Sequence, residues 1–149
     1  MSLKDKLTED MKLAMKAKEA GKLKLSVIRM VRANIKYAEI ELKKELSDEQ
    51  VLDVLSKEVK MRRDSIEEFA KGNRPDLVEN LHREIEVLMH YLPEQLGEAE
   101  IRSLVKDAVT KSGASTVKEM GKVMAILMPA VKGKADGKLV NTIVREMLQ

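Results

Sequence analysis

Tyr91-Leu92-Pro93-Glu94-Gln95-Leu96-Gly97 is the stretch on which the architecture of this chain turns. On both sides of it, apolar residues recur every three or four positions, the spacing of one face of an α-helix. Within it the pattern stops. Pro93 disfavours helical angles at Leu92, and Gly97 permits a turn. The chain therefore reads as all-α in two parts. A helical domain covers residues 1–92, a hinge covers 93–97, and a tail domain covers 98–149.

Upstream of the hinge, Leu3, Leu7, Met11 and Ala14 mark a first helix that ends near Gly21. Ile28, Val31, Ile35, Ala38 and Leu42 mark a second. Ser47-Asp48-Glu49-Gln50 has the form of a capping box, in which Ser47 caps the helix start and Gln50 reaches back to it. The third helix opened there carries Leu52, Leu55, Val59, Ile66 and Ala70, and Gly72-Asn73 breaks it. Pro75 then suits a first helical position, where its missing N–H has no partner to lose. A fourth helix buries Leu77, Leu81, Ile85, Leu88 and Leu92.

Downstream there are three shorter segments. Ile101, Leu104, Val105, Ala108 and Val109 form one, stopped by Ser112-Gly113. Val117, Met120, Met124, Leu127 and Val131 form the next, with Pro129 ending or kinking its last turn. Leu139, Val140, Ile143, Val144, Met147 and Leu148 follow Asp136 as N-cap. The expected architecture is a four-helix N-terminal domain followed by a three-helix tail.

Composition narrows the possible functions. The chain has no cysteine, which excludes disulfides, thiolate metal sites and cysteine nucleophiles. It has no tryptophan, one phenylalanine, two tyrosines and ten methionines, so its core must be aliphatic. With 28 Lys and Arg against 25 Asp and Glu, the net charge of +3 is too small for a bulk polyanion binder. A nucleic-acid role needs charge concentrated on one face. No apolar run reaches the roughly 18–20 residues of a membrane span, so no membrane partner is expected. Residues 1–12 mix Lys4 and Lys6 with Asp5, Glu9 and Asp10, unlike an acid-poor transit peptide or an apolar signal. These features predict a soluble, cytoplasmic protein.

Catalytic chemistry has little to work with. His82 and His90 are the only imidazoles and lie on one helix, while Ser65, Ser103 and Ser115 have no flanking nucleophile motif. Phosphate-loop and dinucleotide glycine patterns are missing, and no catalytic or cofactor-binding residue is assigned. Glu79-x-x-His82 has the spacing of di-metal bundles, with Glu86 and His90 beyond it. At about 100° per residue, however, all four fall away from the apolar stripe, so no metal site is assigned.

Charge is unevenly spread. Residues 1–46 hold 12 basic and 7 acidic side chains (+5), residues 47–92 hold 7 and 11 (−4), and residues 93–149 hold 9 and 7 (+2). Arg29, Arg32, Lys36 and Lys43 form a ridge along the second helix. It reads either as a solvated face interleaved with Glu39 and Glu41 or as a binding ridge. Arg62-Arg63, in an acidic helix, is expected to pair with neighbouring carboxylates.

Lys132-Gly133-Lys134-Ala135-Asp136-Gly137-Lys138 packs three lysines and two glycines into seven residues before a helix. Glycine lets backbone approach a bulky anion, and helix-start amides favour phosphate. The same residues also read as a glycine helix stop followed by an Asp136 cap that occupies some of those amides.

At this loop a resemblance enters. Met120-Gly121-Lys122-Val123-Met124, and then Leu127-Met128-Pro129-Ala130-Val131-Lys132-Gly133-Lys134-Ala135-Asp136-Gly137-Lys138-Leu139-Val140-Asn141, resembles the C-terminal signature of the GatB/YqeY family. That family comprises the tail of the B subunit of the glutamine-dependent aspartyl/glutamyl-tRNA amidotransferase and small free-standing YqeY-like proteins. The resemblance extends through Tyr91-Leu92-Pro93-Glu94-Gln95-Leu96 and Leu46-Ser47-Asp48-Glu49-Gln50-Val51 to essentially the whole chain. It implies an all-α fold and an inherited label of carbon–nitrogen ligase with glutamine as amido-N-donor. The kinase-like cradle domain and the amidase subunit, which carry that chemistry, have no counterpart in these residues.

The resemblance further implies a non-catalytic module for tRNA or another structured RNA, acting beside an amidotransferase or aminoacyl-tRNA synthetase, with no DNA partner expected. Lys122, Lys132, Lys134 and Lys138 would contact phosphates, with Gly133 and Gly137 allowing close approach. The alternative is a helical protein–protein adaptor that uses methionine-rich apolar surface around Met120, Met124, Met128 and Met147.

Overall fold

The helices begin and end where local chemistry provides partners for their terminal backbone groups. The computed structural model describes residues 1–149 as seven α-helices and two short 3-10 turns. They are α1 (Leu3–Lys16), α2 (Lys22–Leu42), α3 (Asp48–Lys71), α4 (Pro75–Met89), α5 (Glu98–Ser112), α6 (Met120–Val131) and α7 (Gly137–Leu148). Two compact units result, Met1–Leu92 and Pro93–Gln149. No helix is long and apolar enough to cross a membrane.

The capping box forms as read. The Ser47 hydroxyl accepts the Gln50 amide at 3.3 Å, and the Gln50 side chain accepts the Ser47 amide at 3.0 Å. Pro75 opens α4, and Asp136 caps α7. The first helix differs from expectation. It ends at Lys16, and Lys18–Gly21 forms a 3-10 turn that leads into α2. Gly21 is buried there, where a Cβ would lie 2.2 Å from the Ala14 carbonyl oxygen. Only glycine allows so close an approach.

In the first unit, Leu7, Val27, Ile28, Val31, Ile35, Val51, Leu55, Val59 and Leu88 form the core. Each fully buried aliphatic side chain contributes about 1.5–3 kcal/mol. Tyr91 closes one side, its hydroxyl donating to the Asp10 carboxylate on α1. Burial, reinforced by Asp10, pushes the Tyr91 phenol well above its ordinary pKa. Glu39 ties three segments together, accepting Lys4 Nζ at 2.6 Å and the Leu46 amide at 2.8 Å. The apolar residues expected on α4 are only half-buried at Leu77, Leu81 and Ile85, and Phe69 and Met61 in the second half of α3 are exposed.

Two charged residues lie inside this unit. Glu58 and Arg62 are 4% and 6% exposed and meet at 2.6 Å. Asn34 on α2 donates to the other Glu58 oxygen, and Glu84 on α4 stands 3.8 Å from Arg62 Nε. The local pairing expected of Arg62 is present, but buried between three helices.

In the second unit, α5, α6 and α7 enclose Ile101, Val105, Ala108, Val123, Leu127, Val131, Val140, Ile143, Val144 and Leu148. Gly113 stops α5 at φ +70°, and Pro129 is accommodated in the last turn of α6, which runs on to Val131. Arg102 on α5 joins Glu98 at 2.9 Å and Glu146 on α7 at 3.1 Å.

Two stability experiments follow from this packing. Glu58→Ala strands the Arg62 guanidinium in a buried site and should lower stability by about 3–5 kcal/mol in urea unfolding, whereas a Glu58→Met/Arg62→Leu double variant should be near neutral or stabilised. Equal destabilisation of both variants would contradict this. The Lys4 hydrogen bond, followed by that from Leu46, holds the Glu39 carboxyl below its ordinary value of 4.5. Its contribution is therefore fully present above pH 4.5 and fades as the pH falls through the depressed value. The melting-temperature advantage of the parent over Glu39→Gln should vanish in strong acid, and an advantage that persists there would refute the assignment.

Candidate functional site

The lysine loop is a built turn followed by a cap. Val131 accepts the Lys134 amide at 2.9 Å, closing a four-residue turn. Lys132 sits at φ −57° and ψ 122°, and Gly133 at φ +74°. These are type II turn angles, which call for glycine at the third position. Three residues on, Asp136 Oδ1 accepts the Lys138 amide at 3.3 Å and starts α7.

The carbonyls of Gly133 and Lys134, at the end of this turn, are met by residues from the Pro93–Gly97 stretch. Leu96 donates its amide to the Lys134 carbonyl at 2.8 Å. Gln95 Nε2 donates to the Gly133 carbonyl at 3.0 Å and to the Pro93 carbonyl at 2.8 Å. Both N–H groups of the Gln95 amide are thus used. Pro93, Glu94, Gln95, Leu96, Glu100 and Lys134 line a depression of about 400 Å³ beside this clamp. Sequence patterning places Gln95 within a motif but gives it no role. One signal points to it: a glutamine two residues after a proline, in a stretch with no helix of its own to bond.

Lys132, Lys134 and Lys138 are all exposed at the corner between α6 and the first turn of α7, with Gly133 and Gly137 among them in the chain. Lys122 stands apart. It lies ten positions before Lys132 along α6, about 15 Å at 1.5 Å per residue. It faces Glu119 at 3.7 Å. Because Asp136 already uses the Lys138 amide, the corner presents cationic side chains more than helix-start donors. The sharpest alternative constellation is dispersed: Glu79, His82, Glu86 and His90 are all exposed, and Glu79 pairs with Arg83 at 2.8 Å. No group of three or more His, Cys, Asp or Glu side chains is placed to hold a metal ion.

The methionines separate into two sets. Met120, Met124 and Met147 pack against the core. Met128 is exposed, as are Ala125, Ile126 and Pro129, so α6 shows solvent a mostly apolar face.

Comparison with known proteins decides the family. The profile of Yqey-like proteins matches residues 4–148. The chain belongs to the YqeY-like family. That family is related to the tail of the amidotransferase B subunit. Similar proteins include the "Altered inheritance of mitochondria protein 41, mitochondrial" of Pyrenophora tritici-repentis, 34% identical over 96% of this chain and 79% of that protein. The protein of the same name from Lachancea thermotolerans is 41% identical over 70% of this chain and 57% of its own length. That from Saccharomyces cerevisiae strain YJM789 is 32% identical over 94% and 80%.

These names overturn the cytoplasmic expectation, because the family members are named as mitochondrial proteins. The physical reason is simple. A cysteine-free, charge-balanced helical chain suits any aqueous compartment, and its composition does not distinguish among them.

The turn geometry can be tested by substitution. Gly133→Ala places a Cβ at a left-handed backbone position and should cost about 1–2 kcal/mol. Gln95→Ala should cost about 1–3 kcal/mol by leaving two carbonyls unpaired. Lys134→Ala, an exposed change, should stay within about 0.5 kcal/mol of the parent. Chemical denaturation ranks the three, and a Gly133→Ala protein as stable as the parent would rule out the turn.

Proposed function

We propose that this protein is a non-catalytic RNA-binding module that holds tRNA or another structured RNA by its phosphate backbone. The observation that carries this reading is the clamped lysine loop. Three exposed lysines sit on a turn whose shape is fixed by Gln95, Leu96 and Asp136. A preorganised cationic corner gives up little entropy on meeting a rigid polyanion. Lys132, Lys134 and Lys138 supply the phosphate contacts, Gly133 and Gly137 keep the loop backbone low, and Lys122 extends the footprint along α6. With one phenylalanine and two tyrosines in the chain, base stacking is a minor contributor, and recognition is by shape and backbone. The relatedness to an amidotransferase tail supports the same reading, with an amidotransferase or aminoacyl-tRNA synthetase as the neighbouring enzyme. The relatives' names point to mitochondria as the setting in which that RNA would be met.

A second reading, a helical adaptor, is favoured by the exposed apolar face of α6 at Ala125, Ile126, Met128 and Pro129. Such a face suits a protein partner that would survive nuclease treatment.

The deciding experiment is tRNA binding across a salt series with the parent and a Lys132→Ala/Lys134→Ala/Lys138→Ala variant. Every phosphate that a variant no longer neutralises lowers the slope of log affinity against log salt by about 0.7–0.9. The triple variant should therefore bind more weakly and with a shallower slope. A variant that binds like the parent would sink the assignment, and a nuclease-resistant protein partner with no tRNA binding would favour the adaptor.

A further inference from the structure

A second basic feature lies in the first unit. Between α1 and α2 runs a groove of about 480 Å³, lined by Lys4, Thr8, Arg29, Arg32, Lys36 and Glu39 above a floor that includes Leu7 and Ile35. Its charges are not equivalent. Lys4 and Glu39 neutralise each other at 2.6 Å. Arg29 and Lys36 are exposed and make no ion pair, and Arg32 meets the Met11 sulfur at 2.8 Å rather than a carboxylate. Three cations without anionic partners therefore follow one wall at positions i, i+3 and i+7. They span about 10 Å along the α2 axis. They belong to the segment with the largest charge excess, +5 over residues 1–46 (12 basic minus 7 acidic).

The remaining chemistry of the groove identifies what it could hold. Apart from Lys4 in the first turn of α1, the lining residues stand on helix sides, whose amides are committed to their own helices. Thr8 donates its hydroxyl to the Lys4 carbonyl. Leu7 and Ile35 are 0% and 3% exposed, so the apolar surface within reach of a ligand comes from the small side chain of Ala33 and from the aliphatic stems of the basic residues. A metabolite with a base or sugar to be read would find few orienting donors. An acidic peptide would find only Ala33 and side-chain stems, and no large apolar side chain of the groove to pack against. A chain of phosphodiesters needs neither, because guanidinium and ammonium groups along a concave wall are sufficient.

We propose that the α1–α2 groove is a second phosphate-binding site that takes the backbone of an RNA strand through Arg29, Arg32 and Lys36. The inference rests on the RNA-binding reading and assigns it a contact in the first unit, independent of the lysine loop. Thr8 and the Lys4–Glu39 pair shape the wall. Arg29 and Lys36 make the outer contacts and Arg32 the inner one.

The test uses the full chain with labelled tRNA, titrated across a salt series. An Arg29→Gln/Lys36→Gln variant changes only exposed side chains and leaves Arg32 on Met11, so folding is not at issue. It should bind more weakly, with a salt slope reduced by about 1.5, and adding Arg32→Gln should reduce the slope by about 2–3 in total. If both variants keep the parental affinity and slope, the groove is not a phosphate site, whatever happens to the lysine-loop variant. If the groove variants weaken while the lysine-loop variant binds like the parent, the groove stands and the loop assignment falls. A parent with no salt-dependent tRNA binding overturns both. Polyglutamate that competes with tRNA at equal charge concentration on the parent, but not on the groove variants, would assign the groove to acidic protein instead.

Discussion

The carbonyl groups of Gly133 and Lys134 govern the shape of the surface that the second unit offers. They follow a type II turn with glycine at its third position, and their hydrogen-bond donors come from outside α6 and α7. Leaving a buried or half-buried carbonyl unpaired costs about 1–3 kcal/mol. The Gln95 side chain and the Leu96 amide remove that cost, and in doing so join two stretches 38 positions apart. Lys132 and Lys134 sit on the turn so fixed, and Lys138 follows one cap later.

A different balance of forces holds the first unit together. With almost no aromatic side chains, its helices gain stability from aliphatic packing and from close approach, as at Gly21 against the Ala14 backbone. Its one buried ionic cluster, Glu58 with Arg62 and Asn34, joins α3 to α2 and lies beside Glu84 on α4. Such a cluster adds little net stability compared with apolar residues, but its partners must be in place together. It therefore favours one arrangement of three helices over sliding alternatives. The groove lined by Arg29, Arg32 and Lys36 lies on another side of α2, where charge faces water rather than carboxylate.

Much of this was legible from residue order because it is local. The Ser47–Gln50 box, Pro75, Gly113 and Asp136 act within four residues, and each ends or starts a helix as its chemistry demands. What escaped depends on which helix faces which. Arg62 has a carboxylate one turn away, as expected, but its burial follows from the packing of α2 and α4 around it. Gly21 reads as a helix stop, and only the neighbouring Ala14 backbone explains it as a point of close approach. The outer half of α4 carries a full apolar stripe yet stays half-exposed, because periodicity tells which face turns inward and not how deeply. In the same way, Lys122 shares a motif with Lys132, but a straight helix sets them about 15 Å apart.

The proposed RNA surface is the clamped lysine loop. Backbone-amide NMR of the full chain during titration with tRNA tests it most directly. Shifts should concentrate at residues 132–138 and at Gln95 and Leu96, be largest at low salt and reverse as salt is added. Shifts confined to the exposed apolar residues of α6, from Ala125 to Met128, or an unperturbed loop in the presence of bound tRNA, would contradict it.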